Sequence, residues 1–213
     1  MKDIDYFTEL NLPKYDLHNA LKEMLIKEEI WWTMDQICLN VPKNIKAVLN
    51  VDGKAVDNPY GPDTEDFMFG VGSLDKDWTK AEKILKKEKD GTMTVASVSA
   101  PKNPNPLNEM DFDTLCGVFK DTIFEEVYNL LKSKFNVGRT RLMMSQPRRC
   151  MSWHYDWYDR IHYPIKTQTG CLMVIEDEVK HLEQDQWYLT KTTSMHTAIN
   201  GSDETRIHLV ACV

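Results

Sequence analysis

The chain has no long apolar run, no C-x-x-C pair and no excess of positive charge, and each absence removes a class of protein. No stretch approaches the roughly 20 consecutive apolar residues of a membrane span, and the N-terminus, Met1–Asp5, has no apolar run behind a basic start. The expectation is a soluble, cytoplasmic protein with no membrane partner. Five cysteines (Cys38, Cys116, Cys150, Cys171, Cys212) are odd in number and widely spaced. That excludes a fully paired disulfide framework and a zinc ribbon, and reads as reduced thiols. Acidic residues outnumber basic ones by 33 to 26, a formal charge of −7, which argues against a general nucleic-acid binder. Internal repeats and low-complexity segments are also missing.

What is present is a chain of 213 residues, enough for one domain that buries roughly 70% of its unfolded surface. Such a chain folds without a metal, so a metal bound to it would serve catalysis. The charge is uneven. Between Arg139 and Lys166 six basic residues face two acidic ones, so this stretch carries +4 and the remainder −11. A local positive field of this kind suits an anionic ligand.

Apolar residues at Leu21, Met24, Leu25 and Ile30 predict a helix within Tyr15 to Trp31, and a strand follows from Thr33 to Val41. Pro42 to Pro106 holds most of the prolines and glycines, with a short helix expected near Trp78 to Lys87. A stretch this long and irregular is a candidate lid. Leu115, Val118, Phe119, Ile123, Val127, Leu130 and Leu131 predict an amphipathic helix over Asp111 to Phe135. After Gly138 the pattern changes to short apolar or alternating runs: 139–146, 160–166, 171–175, 186–189, 195–199 and 206–213, with turns at Gly170 and Asn200-Gly201. These predict a jelly-roll. The fold expected is thus α+β: one domain over 1–213, in which 1–136 is helical and loop-rich support and 137–213 is a double-stranded β-helix, cupin-like core.

The last sixty residues contain His154-Tyr155-Asp156, then His196, then Arg206. In an extended strand residues two apart share a side, so His154 and Asp156 can both face a barrel interior, with His196 arriving from another strand. Two imidazoles and a carboxylate leave open metal positions, which points to non-haem iron. A closed zinc site would need a fourth ligand, and no cysteine is close in sequence. Arg206 falls on the inward face of the final strand with His208, where an unpaired charge is costly and an anion is required. Its planar fork matches a carboxylate. Arg160 and His162 share a second short strand and either supply further donors or belong to a salt-bridged surface strand.

Of the residues near the ligands, Trp153 and Tyr155 alternate away from them and read as packing, whereas Trp157 and Tyr158 follow in a loop and are candidates for substrate contact. Arg148 and Arg149 read as solvated charge, His208 as a satisfied core histidine, and His18 and His181 as solvent-exposed.

The run from Met143 to Val213 resembles the aspartyl/asparaginyl β-hydroxylase branch of the Fe(II)/2-oxoglutarate dioxygenases. The resemblance rests on Gln146-Pro147, Trp153-His154, Arg160-Ile-His162-Tyr-Pro164, His196-Thr-Ala-Ile-Asn200 and Arg206-Ile-His208-Leu-Val210. It also extends to proline hydroxylases and phage-encoded oxygenases. It implies iron at His154, Asp156 and His196. It further implies 2-oxoglutarate held by Arg206 with Arg160 and His162, and hydroxylation of a protein residue, free amino acid or similar small molecule, with O2 consumed and succinate and CO2 released. Two departures stand out: Asp156 occupies a position that is non-ligating in the animal aspartyl hydroxylase, and Met143 replaces a serine that contacts 2-oxoglutarate. Two other functions compete: a jelly-roll binding module with a structural or incidental metal, and a nucleic-acid demethylase of the same superfamily.

Overall fold

A computed structural model describes residues 4–27, 36–42, 48–49, 55–56, 82–99, 102, 104 and 108–213. The N-terminal half contributes β1 (Phe7–Leu10), α1 (Leu17–Lys27), β2 (Gln36–Cys38) and β3 (Asn40–Pro42). Two hairpins follow, β4 (Val48–Leu49) with β5 (Ala55–Val56) and β6 (Glu82–Lys87) with β7 (Met93–Ser99), and β8 (Phe112–Leu115) pairs with β3. After α2 (Ile123–Lys134) come β9 (Thr140–Ser145), β10 (Arg149–Cys150), β11 (Arg160–Lys166), β12 (Cys171–Ile175), β13 (Glu178–Lys180), β14 (Trp187–Thr190), β15 (His196–Asn200) and β16 (Arg206–Cys212). No helix among the described residues is long and apolar enough to cross a membrane.

Two antiparallel sheets make the sandwich expected. The larger has the order β1-β14-β11-β16-β9-β2 and the smaller β10-β15-β12-β13. Alternation along the central strands explains the layering. Ile161, Tyr163, Ile165, Leu209 and Ala211 bury against Leu17, Leu21 and Met24 of α1 and Phe124, Val127 and Leu131 of α2. The alternate residues Arg160, His162, Arg206 and His208 therefore occupy the opposite face. On that side Phe7 and Tyr188 of the large sheet pack with Met173 and Ile175 of the small one.

α2 is set by its ends. Thr122 accepts a hydrogen bond from the Phe124 amide at 3.2 Å, Glu125 and Glu126 occupy the first turn, and Lys132 and Lys134 the last, the charge order that complements a helix dipole. The helix predicted over 111–135 is thus only its second half. Phe112–Leu115 forms β8 because its backbone groups pair with Asn40–Pro42, and a 3-10 turn (Gly117–Phe119) and Asp121 at φ 60° separate that strand from α2. The short helix expected near 78–87 is also corrected. Glu82–Lys87 is a strand paired with Met93–Ser99, while residues 78–81 lie outside those described.

The strand expected over 33–41 divides at Leu39. Its amide bonds Thr140 O at 2.8 Å and its carbonyl accepts from the Cys116 amide at 2.7 Å, so the chain steps from the large sheet to the β3–β8 pair. Buried Asn40 secures this junction, donating to Phe112 O and Gly138 O and accepting from the Thr140 amide. β1 and β2, from the half expected to be support, occupy the two edges of the large sheet. The lid expected over 42–106 falls mostly outside the described residues.

Candidate metal centre

His154 and His196 face each other across a single antiparallel bridge. The His154 amide donates to His196 O at 3.0 Å and the His196 amide to His154 O at 2.7 Å. Asp156 is pinned two residues on, where its amide donates to Thr192 O at 2.8 Å. One ligand atom from each of His154, Asp156 and His196 lies within 4.8 Å of the others. The segment carrying the first two ligands is irregular apart from this bridge, and the strand expected there is replaced by bends.

The imidazole tautomers are decided by their second nitrogens. His154 Nδ1 is 2.7 Å from Ser152 O, and His196 Nδ1 is 3.0 Å from Ser194 O. A carbonyl only accepts, so each Nδ1 carries the hydrogen and each Nε2 presents its lone pair. Burial lowers the pKa of His196 and outweighs the opposing pull of Ser194 O and Asp156, which keeps the ring in its ligating form. Burial pushes the Asp156 carboxyl up, but the hydrogen bond and charge of Arg160, aided by His196 and Arg141, hold it below the usual carboxylate range. Two Nε2 lone pairs and an ionised carboxylate fit a divalent iron ion.

Arg160 secures the carboxylate. Its Nε donates to Asp156 Oδ2 at 2.9 Å and its Nη2 to Glu109 Oε2, which leaves Nη1 buried and without a partner among the described residues. The resemblance assigns Arg160 to the co-substrate. In the structure two of its three nitrogens serve carboxylates, and only Nη1 remains for another ligand. Glu109, absent from the sequence reading, also stands 3.6 Å from Arg139 Nη1 and 3.7 Å from Arg141 Nη2. Nothing local marks it, whereas Arg139 and Arg141 occupy alternate positions of a predicted strand and so share one of its faces. Burial, with the charges of Arg139 and Arg160, brings Arg141 down to about 9.

Arg206 is 8% exposed, its Nε has no partner, and it makes no ion pair among the described residues. Burial lowers its pKa. His162 and His208 meet at Nδ1···Nδ1 3.4 Å with rings nearly perpendicular, and both Nε2 atoms are buried without a partner among the described residues. His208, expected as a satisfied core histidine, is thus buried with only one ring nitrogen in contact with a partner there. A cavity of about 380 Å³ is lined by Arg206, Met143, Ser145 and Gln36, and by Arg149 and Cys150 at the surface. Met143, the departure from the family's serine, is thus a wall of this cavity.

Trp157 is 85% exposed, and the Tyr158 hydroxyl donates to Asn108 Oδ1 at 3.1 Å. Trp153 and Tyr155 are exposed too, at 47% and 64%, which corrects the expectation that they pack: strand parity does not hold in a segment that is not a strand. Arg148 pairs with Asp203 at the surface and Arg149 is exposed, consistent with solvated charge. His18 and His181 are half-buried rather than exposed, and His181 Nδ1 lies 2.7 Å from Cys171 O.

Residues 111–213 match the family model described as aspartyl/asparaginyl beta-hydroxylase. Over this stretch, just under half of the chain, the sequence is similar to that family. All three ligands, Arg160, His162, Arg206 and His208 fall within the matched residues, and Glu109 lies two residues before them. No curated protein sequence matches the chain. Among solved structures, an oxidoreductase of the 2OG-Fe(II) oxygenase family from Burkholderia pseudomallei is 14% identical, with 41% of this chain and 56% of that one covered at a TM-score of 0.37. This chain therefore spans little over half of that protein. A viral collagen prolyl hydroxylase from Paramecium Bursaria Chlorella virus-1, solved with 2-oxoglutarate, is 11% identical over 43% of this chain and 70% of its own, TM-score 0.34. A cupin domain from Bordetella pertussis is 18% identical over 35% and 78%, TM-score 0.31.

Proposed function

We propose that this protein is an Fe(II)- and 2-oxoglutarate-dependent hydroxylase of an amino-acid residue in a protein, or of a free amino acid or similar small molecule. The observation that carries the reading is the pairing of two sites. Two imidazoles whose Nε2 lone pairs are freed by Nδ1 donation converge with an ionised carboxylate, and a buried Arg206 that makes no ion pair among the described residues lies on the large sheet's inward face. Iron with 2-oxoglutarate and O2 supplies the oxidising power, consuming the co-substrate to succinate and CO2.

The chain's own residues do the rest. His154, Asp156 and His196 hold the ion on one side and leave the other open. Arg160, anchored by Glu109, keeps Asp156 ionised and aimed. Arg206 takes the distal carboxylate of 2-oxoglutarate, exchanging an uncompensated buried charge for a charge-assisted pair. Trp157 and Tyr158, beside the ligands, are our candidates for substrate contact.

The demethylase alternative loses support from the placement of the basic stretch. Arg139, Arg141 and Arg160 point inward and are committed to Glu109 and Asp156, leaving little of the +4 for a phosphate backbone. All five cysteines are free and four are buried, so we place the protein in a reducing compartment such as the cytoplasm.

The test is an anaerobic titration of Fe(II) and 2-oxoglutarate, followed by succinate release in air with ascorbate. A weak visible charge-transfer band and succinate formation are expected. His196→Ala and Asp156→Ala should lose both, and Arg206→Ala should mainly raise the 2-oxoglutarate requirement. Absence of the band in the unaltered protein would favour a binding module with no catalysis.

A further inference from the structure

The His162–His208 pair leaves buried hydrogen-bonding capacity unmet among the described residues. The two Nδ1 atoms are 3.4 Å apart, and a hydrogen bond between neutral imidazoles there has one Nδ1 donating to the other. The donor's Nε2 is then a bare lone pair, and the acceptor's Nε2 carries the hydrogen. Both Nε2 atoms are buried and unpartnered among the described residues, as is Arg206 Nε, and His208 is 4% exposed. On their shared face of the large sheet these three groups therefore offer two donors and one acceptor. A carboxylate has no donor to meet that acceptor.

We propose that His208, with His162, completes the carboxylate site at Arg206, and that the pair takes up one proton when 2-oxoglutarate binds, so that both Nε2 atoms become donors. This rests on the reading of Arg206 as the co-substrate anchor. The proton comes from solvent and is shared along the Nδ1···Nδ1 contact, and no other bond changes.

The surroundings explain why the proton arrives with the ligand and not before. Burial, then the charges of Arg206 and Arg160, then His196, holds His162 down to about 3 against the pull of Asp156. Burial, then Arg206, His162 and His181, holds His208 well below the ordinary histidine range. Tyr188 of β14 is the cross-strand neighbour of His162, and Arg141 of β9 is that of Val210 beside it. Arg206 is the largest charge acting on both rings. A carboxylate on Arg206 cancels that charge and adds a negative one, so the main electrostatic obstacle to protonation leaves as the ligand enters. His208 also stands opposite Met143 across β9 and β16, where it supplies a polar contact that the methionine does not.

Isothermal titration of 2-oxoglutarate into Fe(II)-loaded protein under nitrogen, at pH 7 in phosphate and in Tris, reads the proton directly. With iron already bound, its ligand imidazoles contribute no proton change. The expected enthalpies differ by about one buffer ionisation enthalpy in the direction of uptake, and Kd weakens towards tenfold per pH unit above neutrality. His208→Gln and, separately, His162→Gln should still bind but with uptake near zero. Equal enthalpies in the two buffers with binding intact would overturn the proposal and leave the co-substrate reading standing. Undiminished uptake in both variants would overturn it too, by placing the proton elsewhere. Failure of the unaltered protein to bind 2-oxoglutarate would remove both readings.

Discussion

At the scale of single residues, the site is governed by which atoms are left over after every local demand is met. His154 and His196 spend their Nδ1 hydrogens on the carbonyls two residues before them, so each strand segment carries its own device for fixing the tautomer. Asp156 has no such local partner and relies on Arg160, which in turn relies on Glu109. This chain of dependence predicts the effect of Arg160→Lys. A lysine keeps the charge but cannot hold two carboxylates with one planar fork. Fe(II) affinity should fall about 10–100-fold, the usual effect of losing an outer-sphere partner, with the far-ultraviolet circular dichroism unchanged. Competition with a coloured chelator measures it, and an unaltered affinity would mean that Asp156 needs no guanidinium. Burial, Arg160 and the backbone pin at Thr192 act on the carboxylate together, so Asp156→Asn should retain the fold yet lose the metal.

At the scale of elements, two substitutions separate support of the fold from support of the site. Thr122→Ala removes the cap of α2, and a cost of about 1 kcal/mol is expected with metal affinity preserved, because α2 packs on the face of the sheet away from the ligands. Gly138→Ala should do both kinds of harm. A Cβ there would overlap Glu109 O and crowd Met110, so the turn that carries the Glu109 carboxylate must shift, at about 1–3 kcal/mol for an overpacked contact, and Arg160 loses its anchor. Urea unfolding beside metal competition distinguishes the two outcomes. The same contrast shows what was legible beforehand. β9, β11, β12, β14, β15 and β16 could be read because apolar alternation and turn residues are local signals, and the metal triad could be read because ligand chemistry limits the residue types. β6 could not: Glu82–Lys87 is rich in helix formers, and only its partner Met93–Ser99 makes it a strand. β8 depends on Asn40–Pro42, some seventy residues away. Glu109 acquires its meaning only where its own 3-10 turn (Glu109–Asp111), β9 and β11 converge, and no sequence pattern spans that meeting.

At the scale of the whole molecule, burial depresses the imidazoles of His162 and His208, as it does that of His196, and that makes stability depend on pH. The folded pKa of His162 is brought down to about 3 and that of His208 well below its ordinary value, in both cases first by burial. In the unfolded chain both revert to about 6.5. Between those limits the unfolded state binds more protons than the folded one, so stability is complete above about pH 6.5 and is lost as the pH falls below it. Each histidine contributes a slope of up to about 1.4 kcal/mol per pH unit. The depressed carboxyl of Asp156 acts with the same sign but only below its unfolded value of about 3.9, so the window between about pH 6 and 4.5 belongs to the imidazoles. Urea unfolding of chelator-treated protein across that window should show midpoints falling with pH, and His208→Gln should flatten the fall by up to about 1.4 kcal/mol per unit. Parallel curves would show that His208 is already protonated in the folded state. The free pair would then hold the donors a carboxylate needs, and 2-oxoglutarate would bind without carrying a proton in.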